Sequence, residues 1–577
     1  MFSQILKILK AIGYKNQLLA LFIILISFFI ILLELLSFTL IIPALSITLD
    51  NDALNNIPIV GFFKKVVPVE FENYTTLKNI LGMMVVVIFV KTILSLYSNY
   101  KLSLIMWKIR VDINSKIYKY FTVISLSEII DIGFNTIRRL INSDATLFVT
   151  QGFYNYILLC KNFIFLIVLF LFLLQIDAGA TLTIFIFLAV FILIFNILIK
   201  KTASSLAIKF RDFSEYKLKN VNDTIMGIRE VKLFNNENMM VDLFKRNETE
   251  LSKVDIKKSI FNLIPKLLLE FLVVLGVAIL VIVLDTKGYN LVYLLPKLAL
   301  FFLVFLRTLP IAVGINSSLI AIKYSKLQID EVINQLSILK ENKDIPIHEN
   351  SKKFNIEKTK ELELKNVSFS YDKKNKIFEN LNVKFYENKL IGIQGENGSG
   401  KSTLVDLIAG FLKPSTGSIY INEQDIHNNI KDWRKLIGYV SQAPFLTSNT
   451  IKKNIIFSDQ KNIDENKLES SIIQSGVKDF LKKTPNGIET QIGDLGLKLS
   501  GGQKQRITIA RVLYKDPKII ILDEPTSAQD NKIEDYFLKI INELKKDKII
   551  IIISHSKNIH DVCDINYKVE NKNLVKV

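Results

Sequence analysis

The segment GENGSGKST, from Gly395 to Thr403, has the residue types and spacing that hold a phosphate chain. It fits G-x-x-x-x-G-K-[ST] in full, follows the strand-like LIGIQ and precedes the helical TLVDLIAGF. Gly395, Gly398 and Gly400 let the backbone N–H groups around Asn397 and Ser399 turn toward phosphates. Lys401 supplies a point charge on the β- and γ-phosphates and Ser402 a hydroxyl for Mg2+, while the helix opening at Ser402 and Thr403 favours an anion. Further on, the apolar run Lys518 to Leu522 ends in Asp523 and Glu524, two carboxylates at the carboxyl end of a buried strand, where open α/β sheets bind ligands. Asp523 suits a magnesium shell, and Glu524 the orientation or deprotonation of an attacking water. His555 follows the run IIIIIS; alone, a histidine at a strand end is usually structural. A second anion-ready helix start, LSGGQKQR from Leu499 to Arg506, lies far downstream of the first. Two phosphate-binding helix starts in one chain invite a dimer.

These residues need a scaffold. ELELKNVSFSY alternates as a half-buried strand, KLIGIQG and KIIILDE are short apolar runs suited to buried parallel strands, and helical patterns lie between them. Residues 361–577 therefore read as a soluble α/β domain. Residues 336–360 are polar and charged, with Pro346 interrupting any helix, which is the composition of a linker.

Residues 1–335 differ in kind. The chain has 577 residues, 50% of them hydrophobic with 39 Phe, and only 22% charged, for a mean hydropathy of +0.32. A single small binding module and a uniformly soluble protein are both excluded. Apolar stretches run from Leu18 to Leu49, Asn79 to Met106, Phe153 to Leu174, Ala178 to Ile199, Ile260 to Leu284 and Leu291 to Ala321, each long enough to cross hydrocarbon. That predicts six spans, the first a retained one, since its run is far too long for a signal-peptide core. The segments 107–152 and 200–259 are rich in Lys and Arg, so they and both termini are expected in the cytoplasm. The first run exceeds the hydrocarbon thickness by roughly half at 1.5 Å per residue, which predicts helices that continue beyond the bilayer. The net charge of +18 lies largely in these loops, so no nucleic-acid partner is implied. Cys160 and Cys563 are too few for a disulfide framework or a cysteine zinc site.

Gly395 to Ser402, Gln442, Leu499 to Gln503, Ile519 to Glu524, Asp530 and His555 occur in the order and approximate spacing of the Walker A, Q-loop, signature, Walker B, D-loop and H-loop elements of the ATP-binding cassette (ABC) family, which the chain resembles. Tyr371, in SFSYDKK, resembles that family's adenine-stacking aromatic. With six spans ahead of one cassette, the resemblance to half-transporter exporters covers essentially the whole chain. It implies an α-helical transmembrane domain followed by a cytoplasmic α/β P-loop NTPase nucleotide-binding domain, in the bacterial inner membrane. It implies ATP and Mg2+, the metal at Ser402, Gln442 and Asp523, with catalysis by Glu524, His555, Gln442 and Lys401. Nucleotide contacts would come from Tyr371, from Gly395, Asn397, Gly398, Ser399, Gly400, Lys401, Ser402 and Thr403, and from Gln442 and Asp530. In a head-to-tail homodimer, Ser500, Gly501, Gly502 and Gln503 would touch the nucleotide held by the other copy. FTVISLSEIIDIGFNTIRRLINSD and RDFSEYKLKNVNDTIMGIREVKLF resemble the segments that contain coupling helices. The stretch TQIGDLGLKLSGGQ departs from the more charged sequence usual before the signature, and Gln529 stands where a leucine is usual. Glu524 is an intact acid, so hydrolysis is expected.

Ionisable residues inside apolar runs default to functional hypotheses. They are Glu34, Lys91, Lys266, Glu270, Lys297 and Arg307. The bland alternatives are snorkelling at the span ends, for Lys266 and Lys297, and internal ion pairs such as Glu34 with Lys91. Arg307 lies well inside FFLVFLRTLP, and its planar fork suits phosphate oxygens. The Asp50 to Lys78 loop, with IPIVGFFKKVVPV, is expected to face outward and to touch lipid. A long external loop with basic residues in the cavity resembles the lipid-linked oligosaccharide flippase of bacterial protein N-glycosylation. That resemblance implies an amphipathic lipid substrate with a phosphate head, attracted to Lys91 and Arg307, and membrane lipids as partners. A multidrug, lipid A or peptide exporter is the alternative, and a cassette ATPase that gates or regulates without pumping a more distant one.

Overall fold

The computed structural model of the chain describes residues 2–49, 74–175, 178–286, 291–341, 360–372, 375–458, 463–493, 496, 498–525 and 531–577. The chain divides into two compact units, one built from residues 1–124 and 129–345 and one from residues 125–128 and 346–577.

The first unit is helical because its apolar runs are long and carry few breakers. Tyr14–Leu49 is a single helix of 36 residues, as the run from Leu18 predicts. Tyr74–Val123 and Glu237–Thr286 have 50 residues each, and Ala178–Met226 has 49. At 1.5 Å per residue such helices are about 75 Å long, against ~30 Å of hydrocarbon. They therefore run on past a bilayer, as expected. Tyr74–Val123 also begins earlier than the expected span, inside the loop assigned to Asp50–Lys78; residues 50–73 of that loop lie outside the described residues. Short helices, Leu126–Ile132 and Ile228–Leu233, stand within the two long basic segments. Ser125 caps the first, its backbone N–H donating to Glu128 Oε2 at 2.9 Å.

Among the described residues four helices are long and apolar enough to cross a membrane: Tyr14–Ser37, Ile80–Val123, Phe134–Leu174 and Glu237–Gly276. Thr181–Phe195 and Thr308–Tyr324 are apolar but shorter, so the described residues supply four of the six expected spans at full length. The Phe134–Leu174 run widens to π-helical turns at Leu140–Asp144 and Phe148–Phe153. Gly152 sits in the second; a Cβ there would meet Ile329 Cδ1 at 3.2 Å. This close approach lets the helix Lys326–Glu341 pack in, with Ile329, Val332 and Leu336 in one core with Ile109, Phe148 and Ile157. The helix consequently continues to Glu341, past the boundary expected at 335, because a buried apolar face outweighs the polar composition of its other side.

The second unit contains two sheets. Strands β1 (Glu361–Ser370), β2 (Lys376–Tyr386), β3 (Lys389–Gly395), β4 (Thr416–Ile421), β5 (Gln424–Asp425), β6 (Ile437–Val440), β7 (Ile519–Asp523), β8 (Ile549–Ile553), β9 (Ile565–Glu570) and β10 (Asn573–Lys576) are ordered β2-β1-β4-β5 in an antiparallel sheet and β10-β9-β3-β8-β7-β6 in a mainly parallel one. The residues of β7 and β8 are buried throughout, as their unbroken apolar runs predict. Alternation decides which face each serves: Ile519, Ile521, Ile549 and Ile551 pack with Leu404, Leu407 and Trp433, whereas Ile520, Leu522, Ile550 and Ile552 pack with Ile509, Val512 and Leu538. A third cluster, around Ile451, Leu468, Phe480 and Ile507, forms a helical layer of its own.

Candidate functional site

The strand order places the motif residues side by side. β3, β8, β7 and β6 are successive parallel neighbours, with Ile393, Ile553 and Asp523 on one rung and Val440 opposite Leu522 on the next. The residues just past these strands are the phosphate-loop start, His555, Glu524 and Gln442, so four segments far apart in sequence converge on one sheet edge.

The loop after β3 turns with Gly398 and Gly400 at φ 82° and 105°, conformations a side chain rarely adopts. A Cβ on Gly400 would also meet Ile377 Cγ2 at 2.7 Å, and one on Gly395 would meet Ser399 Oγ at 2.8 Å. Gly400 caps the helix Lys401–Ile408. Lys401 Nζ donates to the carbonyls of Gly395 at 2.6 Å and Glu396 at 3.0 Å, and stands 3.4 Å from His555 Nε2. That imidazole nitrogen lies 3.6 Å from Glu524 Oε1, while Gln442 Nε2 donates to Glu524 Oε2 at 3.1 Å. Lys401, His555, Glu524 and Gln442 thus form one polar row. In one tautomer His555 accepts from the ammonium; in the other it donates toward the carboxylate.

Glu524 has φ 47°, a left-handed conformation for a residue with a side chain, and its N–H donates to Ile553 O at 2.9 Å. Asp523 is buried at 9% exposure, with Tyr439 Oη at 3.5 Å. Burial, with the neighbouring Glu524 adding to it, raises the Asp523 carboxyl above its usual range against the opposing pull of Tyr439 and Lys401. Asp406, on the Lys401–Ile408 helix, is raised by burial and then by Asp523. Tyr371 presents its hydroxyl to Thr403 Oγ1 at 3.3 Å and its ring edge to Phe369, leaving most of the ring exposed.

Ser500 caps the helix Gly501–Lys515 in a reciprocal capping box: its N–H donates to Gln503 Oε1 at 2.9 Å, and its hydroxyl accepts from Gln503 N at 3.3 Å. No hydrogen bond joins Ser500 or Gln503 to the row at Glu524 among the described residues. Gln505, which the motif pattern did not single out, does join it: its Nε2 donates to Glu524 O at 2.9 Å from a position 2% exposed. Tyr439 and Asp406 were likewise not foreseen. Asp530 and Gln529 lie outside the described residues, as do the side chains of Arg307 and Lys297. In the first unit Lys91 Nζ meets Glu34 at 3.2 Å, the ion pair weighed as one reading of those two residues. Lys266 stands 3.9 Å from Glu270.

Residues 378–527 match the family model for ABC transporters, so this stretch is an ABC transporter ATP-binding domain. An export ATP-binding/permease protein of Rickettsia typhi is 44% identical over 212 residues, 36% of this chain and 37% of that protein. ABC transporter B family member 1 of Dictyostelium discoideum is 39% identical over 199 residues, 34% of this chain and 22% of that protein. The chain therefore spans little more than a third of the first of these relatives and less than a quarter of the second. A solved bacterial Atm1-family ABC exporter with ATP bound is similar in fold over 97% of this chain and 94% of that one, at a TM-score of 0.75 and 19% identity.

Proposed function

We propose that the chain is one half of an ATP-driven membrane exporter, acting as a homodimer in the bacterial inner membrane with six spans per copy and both cassettes in the cytoplasm. The row Lys401–His555–Glu524–Gln442 at the edge of the parallel sheet carries this reading, because it supplies a phosphate cation, a hinge imidazole, a water-activating carboxylate and a carboxamide within one site. The phosphate loop fits a triphosphate: its glycines leave a cradle that a Cβ would fill, and Ser399 Oγ is buried there with no hydrogen-bond partner among the described residues. Tyr371 supplies an exposed ring for adenine. The signature hydroxyl and its neighbouring N–H groups would meet nucleotide held by a second copy.

Mg2+ would be held by Ser402, Gln442 and Asp523, and would supply positive charge to offset that of the transferred phosphoryl group. Glu524 orients the attacking water and takes its proton, and His555 lies against both that carboxylate and Lys401. The short helices Leu126–Ile132 and Ile228–Leu233 would transmit the cassette's movement to the spans. For substrate, an amphipathic lipid with a phosphate head, such as a lipid-linked oligosaccharide, is supported by Arg307 within its apolar run.

The test is Mg2+-dependent ATP hydrolysis by purified protein in liposomes. Glu524→Gln should still bind ATP and lose turnover by about a hundredfold or more. Wild-type turnover in that variant would remove Glu524 from the mechanism.

A further inference from the structure

The helix Tyr154–Leu174 buries one stripe, Ile157, Phe165, Leu169 and Leu173, at 0 to 6% exposure. The i, i+4 spacing of that stripe passes through position 161, and the residue there is Lys161. The Tyr74–Val123 helix buries Leu102, Ile105, Ile109 and Ile113, and one turn before Leu102 on that face comes Ser98, at 1% exposure. Lys161 Nζ donates to Ser98 Oγ at 3.3 Å, its only hydrogen-bond partner among the described residues. A hydroxyl carries no charge.

Two turns from Ser98 on the same helix, Lys91 is neutralised by Glu34. Among the described residues Lys91 therefore has a carboxylate partner, and Lys161 has none. Lys161 is partly buried, with its ammonium turned to the hydroxyl of a neighbouring helix. An ammonium withdrawn from water without a counter-charge is unfavourable, and such residues in membrane spans mark substrate pathways. An apolar cavity of about 310 Å³ is lined by Ile26, Phe29, Leu32, Leu33, Leu36 and Leu94, residues that flank Glu34 and Lys91 along their helices. Leu94 lies one turn from Ser98, so the apolar space and the hydroxyl that Lys161 reaches are neighbours along one helix.

We propose that Lys161, with Ser98, is the point where the transported molecule's anionic group binds, a carboxylate or phosphate supplying the missing counter-charge while its apolar tail occupies the cavity beside Glu34 and Lys91. This rests on the exporter reading and names its substrate class, an amphipathic anion.

Full-length protein in lipid nanodiscs, with empty nanodiscs as blank, is titrated calorimetrically with octyl phosphate, octanoate and octyltrimethylammonium. Wild type should bind the better anion about tenfold or more tighter than the cation, Lys161→Met should lose that preference, and Lys161→Arg should stay within about threefold of wild type. Which of phosphate and carboxylate binds tighter identifies the head group, and either order supports the site. The site is overturned if no anion binds, if the cation binds wild type as tightly as the anions, or if Lys161→Met binds octyl phosphate like wild type. The comparison within wild type needs no variant to fold. If the anion preference stands but Mg2+-ATP hydrolysis is absent, the exporter reading falls and the anion site remains.

Discussion

Gln505→Leu separates the positioning of Glu524 from the binding of ATP. The substitution removes the Gln505 Nε2 to Glu524 O hydrogen bond of 2.9 Å from a side chain 2% exposed. Leucine has nearly the same volume, so the packing of the signature helix against Ile520 and Leu522 is retained. A buried hydrogen bond of this kind contributes about 0.5 to 1.5 kcal/mol net, rising toward about 3 where the remaining carbonyl is left poorly satisfied. Glu524 holds φ 47°, a conformation that costs about 1 to 2 kcal/mol for a residue with a Cβ. Weakening the tie lets that strain relax and swings the carboxylate away from Gln442 and His555. A loss of about 1 to 3 kcal/mol from the transition state lowers kcat about 5- to 150-fold. The phosphate loop and Tyr371 are untouched, so KM for ATP should stay within about twofold. Steady-state hydrolysis by full-length protein in liposomes, with thermal unfolding measured in parallel, decides the matter. Unchanged kcat refutes the reasoning, and so does a loss of kcat that merely follows a collapse in thermal stability.

Trp433→Ala deletes a fully buried ring whose Nε1 donates to Ile408 O at 2.9 Å, and should destabilise the second unit by about 3 to 5 kcal/mol in denaturant unfolding. A loss under about 1 kcal/mol would mean the site collapses around the gap. Glu34→Gln and Lys91→Met should each lower thermal stability more than the double variant does, because either alone strands a buried charge; additive losses in that cycle would deny the pair its role. Asp523→Asn should stabilise nucleotide-free protein at pH 7 while abolishing turnover. The raised carboxyl keeps a proton in the folded state that the unfolded chain loses near pH 3.8, so its contribution to stability declines as pH rises through that window. The gain from Asn should therefore shrink toward pH 4, and equal gains at pH 4 and 7 would rule out charge burial as the cause.

What could be read in advance follows the range of the interaction that encodes it. The phosphate loop is local: its glycines, lysine and hydroxyl act within nine residues, so Gly395 to Thr403 is legible as a string. The buried strands β3, β7 and β8 are legible too, because parallel strands covered on both faces need unbroken apolar runs. Pairing is different. Nothing in ELELKNVSFSY says that β1 will lie between β2 and β4, since alternation specifies a face and leaves the partner open. Gln505 was passed over for the same reason: its partner, the Glu524 carbonyl, is 19 residues away and is a backbone atom that every residue carries.

Hydropathy hid Lys161 in another way, by averaging. One ammonium among Ile, Leu and Phe barely lowers the score of a span, whereas physically it is the most costly residue in it. The sequence also offered two readings for Lys91, substrate cation or internal pair, and only the distance to Glu34 separates them. Lys91 is thus paired, whereas Lys161, reached from Ser98 two turns along the same helix, meets only a hydroxyl among the described residues. In a membrane domain the informative quantity is thus the balance of charge at each level of the bundle interior, which a sequence lists without saying which groups share a level.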